Sequence, residues 1–234
     1  MKVEVWSDYV CPFCYIGKRQ LEKAIKETGY EGQVEVELKS FLLDPNTPLD
    51  TEESVYTLLA KKFNTSETEA KNMTQSVAER AKEVGLKYNF DIMKSANTNA
   101  AHRLAKWAAK QDKGSEFSER LLQAYFTEGA AIGKHDVLLD LAEEVGLNRQ
   151  QAQDLLNSEQ FVAEVEQDIL EAQNLGVRGV PFFVIDNKYG ISGAQPQPLF
   201  NQTIEKAANE AGLKPKLKMI GDNGSVCIDD QCDL

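Results

Sequence analysis

The sequence predicts an α/β protein in which a strand–helix–strand opening is separated from a closing strand hairpin by a long helical block. Three observations carry that prediction. Apolar residues alternate with charged ones near 2–5 and 34–39, they recur at helical spacing through 46–174, and strand-like runs return at 182–191. With 234 residues and 42% hydrophobic content, the chain can bury an ordinary core without structural staples.

Val3 and Val5 alternate with Lys2 and Glu4, the period of a half-buried strand, and the alternation stops at Ser7-Asp8. Pro12 suits the first position of a helix, where its missing N–H is not needed. Cys14, Gly17, Leu21, Ala24 and Ile25 then follow at helical spacing, so a helix is expected over 12–28, stopped by Gly29. Val34, Val36 and Leu38 alternate with Glu35, Glu37 and Lys39 and predict a second strand running into Phe41-Leu42-Leu43 before the Asp44-Pro45 break. A right-handed crossover makes these two strands parallel neighbours.

Residues 46–174 read as helical almost throughout, with stripes such as Leu138, Leu139, Leu141, Ala142 and Val145. Glu-Val-Gly-Leu at 83–86 and 144–147, and Glu-Ala-Gly-Leu at 210–213, each place a Gly where a left-handed residue ends a helix and a Leu that covers the last turn. Phe182 to Ile185, the link Asp186-Asn187 and Lys188 to Ile191 read as a hairpin. Gln195 to Pro198 opens a last helix bearing Leu199, Phe200, Ile204 and Ala208. The expected organisation is a discontinuous α/β unit (1–45 and 175–212), an all-helical insertion (46–174) and a loosely ordered tail (213–234) with a Cys-x4-Cys pair.

A net charge of -11 disfavours nucleic acid and anionic membrane surfaces, leaving proteins or small molecules as partners. The N-terminal residues lack the apolar run of a signal peptide, and no segment approaches the ~20 apolar residues of a membrane span; a cytoplasmic protein is expected. In such a compartment, cysteines in close pairs, Cys11/Cys14 and Cys227/Cys232, point to redox or metal chemistry before structural bridges.

Cys11 follows a strand and opens a helix, where unsatisfied N–H groups and the helix dipole favour a thiolate. Cys14, about one turn further in, is the natural resolving thiol. The competing reading is a zinc site shared with Cys227 and Cys232. Gly176-Val177-Arg178-Gly179-Val180-Pro181 leads straight into the strand at Phe182. A Pro at that position is either a cis residue lying beside the cysteines, with the Val180 backbone open to an extended substrate, or an ordinary loop proline. Phe13, between the cysteines, is placed to touch substrate and to influence redox poise. Trp6, Tyr9 and Tyr15 serve as a platform or as core. His102, near Asn97 and Asn99, either exchanges protons with a thiol or is a satisfied helix histidine; His135 reads as surface or capping. Cys227 and Cys232 relay electrons to Cys11/Cys14, shield them, or have no catalytic duty.

The segments Ser7-Asp8-x-x-Cys11-Pro12-x-Cys14-Tyr15-x-Gly17-Lys18, Asn97-Thr98…Ala101-His102-Arg103 and Gly176 to Phe183, with the helical insertion, resemble the DsbA-like branch of the thioredoxin superfamily, and within it the FrnE-like proteins. The resemblance spans about residues 2–212. It implies a thioredoxin-like fold with a large all-helical inserted domain, disulfide exchange at Cys11 and Cys14, substrate contact at Pro12, Phe13, Val180 and Pro181, and a cis peptide before Pro181. The implied activity is protein thiol:disulfide exchange, needing no metal or bound cofactor, with glutathione as a candidate co-substrate. The same branch holds glutathione-using enzymes similar to 2-hydroxychromene-2-carboxylate isomerases, which commonly carry Ser where this chain has Cys11. The presence of both cysteines departs from that pattern.

Overall fold

A computed structural model describes residues 1–49 and 51–216; the expected tail pair, Cys227 and Cys232, lies outside the described residues. The chain opens with β1 (Lys2–Ser7), α1 (Pro12–Glu27) and β2 (Glu35–Ser40). A helical series follows: α2 (Val55–Phe63), α3 (Glu67–Glu83), α4 (Asn99–Ala109), α5 (Gly114–Gln123) running into a π-helical turn (Ala124–Glu128), α6 (His135–Glu144), α7 (Arg149–Leu156) and α8 (Val162–Asn174). The chain then returns to β3 (Phe182–Ile185), β4 (Tyr189–Ser192) and α9 (Gln197–Glu210). No described helix is long and apolar enough to cross a membrane.

The sheet order is β2-β1-β3-β4. β1 pairs parallel with β2, in register Val3 with Val36 and Val5 with Leu38, and antiparallel with β3, Val5 opposite Phe183. The β3–β4 hairpin turns on Asp186 and Asn187, both left-handed (φ 53° and 54°), and Lys188 N–H donates to the Ile185 carbonyl at 3.0 Å. Asp and Asn tolerate that conformation because their short polar side chains bond locally, and a turn of this hand matches the twist of the strands. The three Gly-Leu helix stops form as their sequence implies. Gly85, Gly146 and Gly212 have positive φ, and the following Leu amides donate back to Ala81, Ala142 and Ala208.

Two expectations need correction. β2 ends at Ser40 and does not continue through Leu43, because the Leu43 amide leaves the ladder to donate to the Asp8 carboxylate at 2.8 Å. Residues 86–98 interrupt the helical block. Their backbone groups find distant partners in place of i−4 carbonyls: Asn89 N–H donates to Phe126 O, and Ser95 N–H to Glu53 O. This irregular strap carries Tyr88 and Thr98 toward α1.

One core fills the space between sheet, α1 and α9 with Val3, Val5, Leu21, Phe183, Ile185 and Phe200. A larger one joins the helices through Leu104, Phe117, Leu121 and Leu138, and it takes in Tyr15 and Ile16 of α1. α1 therefore serves both cores from opposite faces, so the helix that carries the cysteines is clamped between them. A smaller cluster of Trp6, Ala172 and Val177 seals β1 against α8, where the Trp6 indole N–H donates to the Asp168 carbonyl at 2.8 Å.

Candidate active site

Cys11 is the N-cap of α1, with extended backbone (φ -92°, ψ 111°), and Pro12 occupies the first turn, where no amide is missed. The loop from β1 is closed by Cys11 N–H donating to Asp8 O at 3.1 Å, and the helix begins with Cys14 N–H donating to Cys11 O at 3.0 Å. Both cysteines are buried free thiols, 4% and 2% exposed, so their sulfurs meet a partner only through narrow openings. Burial and the adjacent Cys11 push the Cys14 thiol well above its ordinary pKa, opposed by hydrogen bonds from the Ser7 hydroxyl and the Asp8 amide.

The Val180-Pro181 peptide is cis, and the Val180 carbonyl accepts from Cys11 Sγ at 3.4 Å. Gly17 makes this approach possible. A Cβ there would lie 2.9 Å from Phe183 Cζ and 3.0 Å from Pro181 Cγ, inside normal carbon contact, so only glycine lets α1 press against the proline loop. Pro181 is buried, whereas Pro12, Phe13 and Val180 are half-buried and line the outer surface around Cys11.

Sequence reasoning missed how much of the insertion reaches this motif. Asp8, 1% exposed, is a buried hub: Thr98 Oγ1 donates to one carboxylate oxygen at 2.7 Å, His102 Nε2 lies 3.4 Å from the same oxygen, and Leu43 N–H donates to the other. Tyr88 donates its hydroxyl to Pro12 O at 2.7 Å and stacks on Phe126 with ring centroids 4.6 Å apart. Arg80 of α3 lies over the Phe13 ring, 5.1 Å from its centroid, and donates to Ala194 O at 2.9 Å. The Asn97-Thr98…His102 run was the one readable signal for this docking; Tyr88 and Arg80 stand in ordinary polar stretches that announce nothing.

Of the other candidates, Trp6, Tyr9 and Tyr15 are buried. His102 is 4% exposed, partnered by Asp8 and packed on the Tyr9 ring at 4.7 Å. His135 opens α6, far along the chain from the cysteine motif. The fold thus assembles a thiol-bearing helix terminus, a second thiol behind it and a backbone carbonyl facing the first.

Residues 2–205 match the DSBA-like thioredoxin domain, which covers most of the chain and both ends of this site. The chain belongs to that family. Consistent with membership in the DsbA-like family, it is 31% identical over 207 residues to the uncharacterized protein YwbO of Bacillus subtilis strain 168, covering 86% of this chain and 94% of the relative. It is also similar to the crystal structure of a probable DsbA oxidoreductase from Streptomyces coelicolor, with a TM-score of 0.85, 33% identity, and 100% and 99% of the two chains covered. A cytosolic disulfide reductase, DsbM of Pseudomonas aeruginosa, shares the fold at TM-score 0.61 and 18% identity, covering 91% of this chain and 98% of that one. A 2-hydroxychromene-2-carboxylate isomerase shares it at TM-score 0.67 and 13% identity with the same coverage. The architecture is therefore the DsbA-like thioredoxin fold with a helical insertion.

Proposed function

We propose that the protein is a thiol:disulfide oxidoreductase acting on protein substrates through Cys11 and Cys14. The observation that carries this reading is the Cys11 sulfur at the start of α1, 3.4 Å from Val180 O, with Cys14 buried one turn behind. Negative charge on Cys11 Sγ is favoured by the positive end of the α1 dipole. The Val180 backbone and the half-buried Pro12 and Phe13 form the surface on which an extended chain lays its reacting sulfur.

In the reducing direction Cys11 thiolate attacks a substrate disulfide, one substrate sulfur leaves with the electron pair, and a mixed disulfide forms. Cys14 then attacks Cys11 Sγ, releasing the second substrate thiol and closing the internal bridge. Its raised pKa keeps Cys14 protonated while Cys11 reacts first, and its proton passes to the departing substrate thiolate when Cys14 attacks. The chemistry resides in the two sulfurs, with glutathione as a co-substrate that supplies or removes electrons. The FrnE-like subgroup, a cytoplasmic setting and the division at residues 45/46 and 174/175 belong to the same proposal. The buried residues of the sheet core come only from 1–45 and 175–212, which supports that division, while the helical core also takes in Tyr9, Tyr15 and Ile16. A glutathione-dependent isomerase has only the shared fold behind it, while the presence of both thiols favours exchange.

The test is equilibration with glutathione followed by thiol trapping and mass spectrometry, run beside Cys14→Ser. A Cys11-Cys14 disulfide should form in the parent protein, and the variant should stall as a mixed disulfide at Cys11. A potential above the glutathione poise of roughly -220 to -320 mV marks an oxidant or isomerase, and one below it a reductase. Absence of any Cys11-Cys14 bridge would remove the proposal.

A further inference from the structure

An interdomain cleft of about 980 Å³ runs along the free edge of β2, between α1 on one side and α4, α5 and α8 on the other. It lies apart from the exchange surface: Cys14 lines it, and Cys11, Pro12, Val180 and Pro181 do not. Cys14, Lys18, Leu21 and Glu22, spaced as neighbours on one face of α1, form one wall; Ser7, Tyr9, His102 and Ser118 also line the cleft, and Ser7 hydrogen-bonds the Cys14 thiol. The position is unusual in its consequence. Cys11 Sγ meets the Val180 carbonyl and does not line the cleft, so the two sulfurs of one redox pair have different surroundings.

We propose that this cleft admits a low-molecular-weight aminothiol, or its disulfide, which exchanges directly with Cys14. Displacement at sulfur requires the entering and leaving sulfurs to lie on opposite sides of the sulfur attacked. A thiolate in the cleft approaches Cys14 from the side where Cys11 is not. In the oxidised protein an aminothiolate forms a bond to Cys14 Sγ, the Cys11–Cys14 bond breaks, and Cys11 Sγ leaves with the electron pair at the helix N-terminus. A second aminothiolate attacks the bound ligand's sulfur, Cys14 Sγ leaves and takes a proton from water, and the ligand departs as a disulfide. One protein disulfide is reduced and two thiols are oxidised.

Size and charge select the ligand class. With Cys14 only 2% exposed, a ligand has to be slim and unbranched to reach the sulfur. Carboxylates outnumber lysines seven to four around the cleft, and the whole chain carries -11, so a net-cationic aminothiol is favoured over a net-anionic thiol such as glutathione.

This inference rests on the thiol-exchange reading of the pair, and the experiment separates the two. The Cys11→Ser protein, its fold verified by circular dichroism, is treated with cystamine or with dithiodipropionate, and Cys14 modification is followed by mass spectrometry. Cystamine should label Cys14, at least tenfold faster than the dianionic disulfide at low salt, with the gap narrowing as salt is added. Filling the cleft with Ser115→Trp and Val36→Trp, both at exposed positions, should slow labelling at least tenfold while leaving insulin reduction by the Cys11-containing protein unchanged. A folded Cys11→Ser protein whose Cys14 is inert to cystamine, or is labelled at the same rate with the cleft filled, overturns the inference. Those outcomes leave the exchange reading intact if the parent protein still forms its Cys11-Cys14 bridge and reduces insulin.

Discussion

Replacing Gly17 by Ala tests whether the close approach of α1 to the proline loop sets the site. The added Cβ would sit 2.9 Å from Phe183 Cζ and 3.0 Å from Pro181 Cγ, whereas carbon atoms pack at about 3.5–4.0 Å. Something must therefore move by roughly 0.5–1 Å. Phe183 has little freedom, being fully buried and set edge-to-face on Phe200 at 5.0 Å, so the strain passes to the Pro181 loop or tilts α1. Either movement changes the 3.4 Å contact between Cys11 Sγ and Val180 O. Two energies compete. Gly to Ala inside a helix gains about 1 kcal/mol in propensity, while overpacking costs about 1–3 kcal/mol. The net is a loss of roughly 0–2 kcal/mol, small beside the effect on function, since a 1 Å misplacement of reacting groups costs on the order of 100-fold in rate. Insulin-reduction kinetics measured with urea unfolding should show at least a tenfold loss of rate and near-parental stability. A Gly17→Ala protein that keeps its full rate and gains about 1 kcal/mol would show that the apparent crowding is absent and would refute the reasoning.

Thr98→Val removes a buried donor from the Asp8 carboxylate and should cost about 1–3 kcal/mol in urea unfolding; a change within a few tenths would mean the hub is hydrated. Tyr88→Phe deletes the hydrogen bond to Pro12 O but keeps the ring on Phe126, so a loss of about 0.5–1.5 kcal/mol is expected, and unchanged stability would argue against that bond. Glu119 supplies a pH dependence. Burial works against its charge, yet hydrogen bonds from Lys18, Tyr15 and Arg19 and the charge on Lys18 hold its carboxyl below the usual range. The unfolded chain then binds the proton more readily, so the stability Glu119 contributes is complete above about pH 4.3 and is lost as pH falls through the lowered folded value. Unfolding midpoints across that window should fall more steeply for the parent than for Glu119→Gln; identical slopes would contradict the assignment.

Much of this protein is legible without its fold. Alternation at Val3 and Val5, the Pro12 helix start, the three Gly-Leu stops and the Asp186-Asn187 turn each report a local backbone preference, and each appears in the structure where it was expected. The spacing of Cys11 and Cys14 at a strand-to-helix junction likewise states the candidate chemistry from adjacent residues alone. Local preference does not extend to residues 86–98, where amides bonded to distant carbonyls override any helical pattern, nor to Leu43, drawn off β2 by Asp8.

What the tertiary structure alone decided is which remote groups meet the motif. Tyr88 reaches Pro12 across 76 positions and Thr98 reaches Asp8 across 90. The Gly17 approach to Pro181 and the cleft behind Cys14 depend on how α1 is clamped between two cores. Periodicity and capping encode the backbone of a segment and the face it buries. They carry no term for the partner that face will find, because that choice is made by packing among elements far apart in the chain.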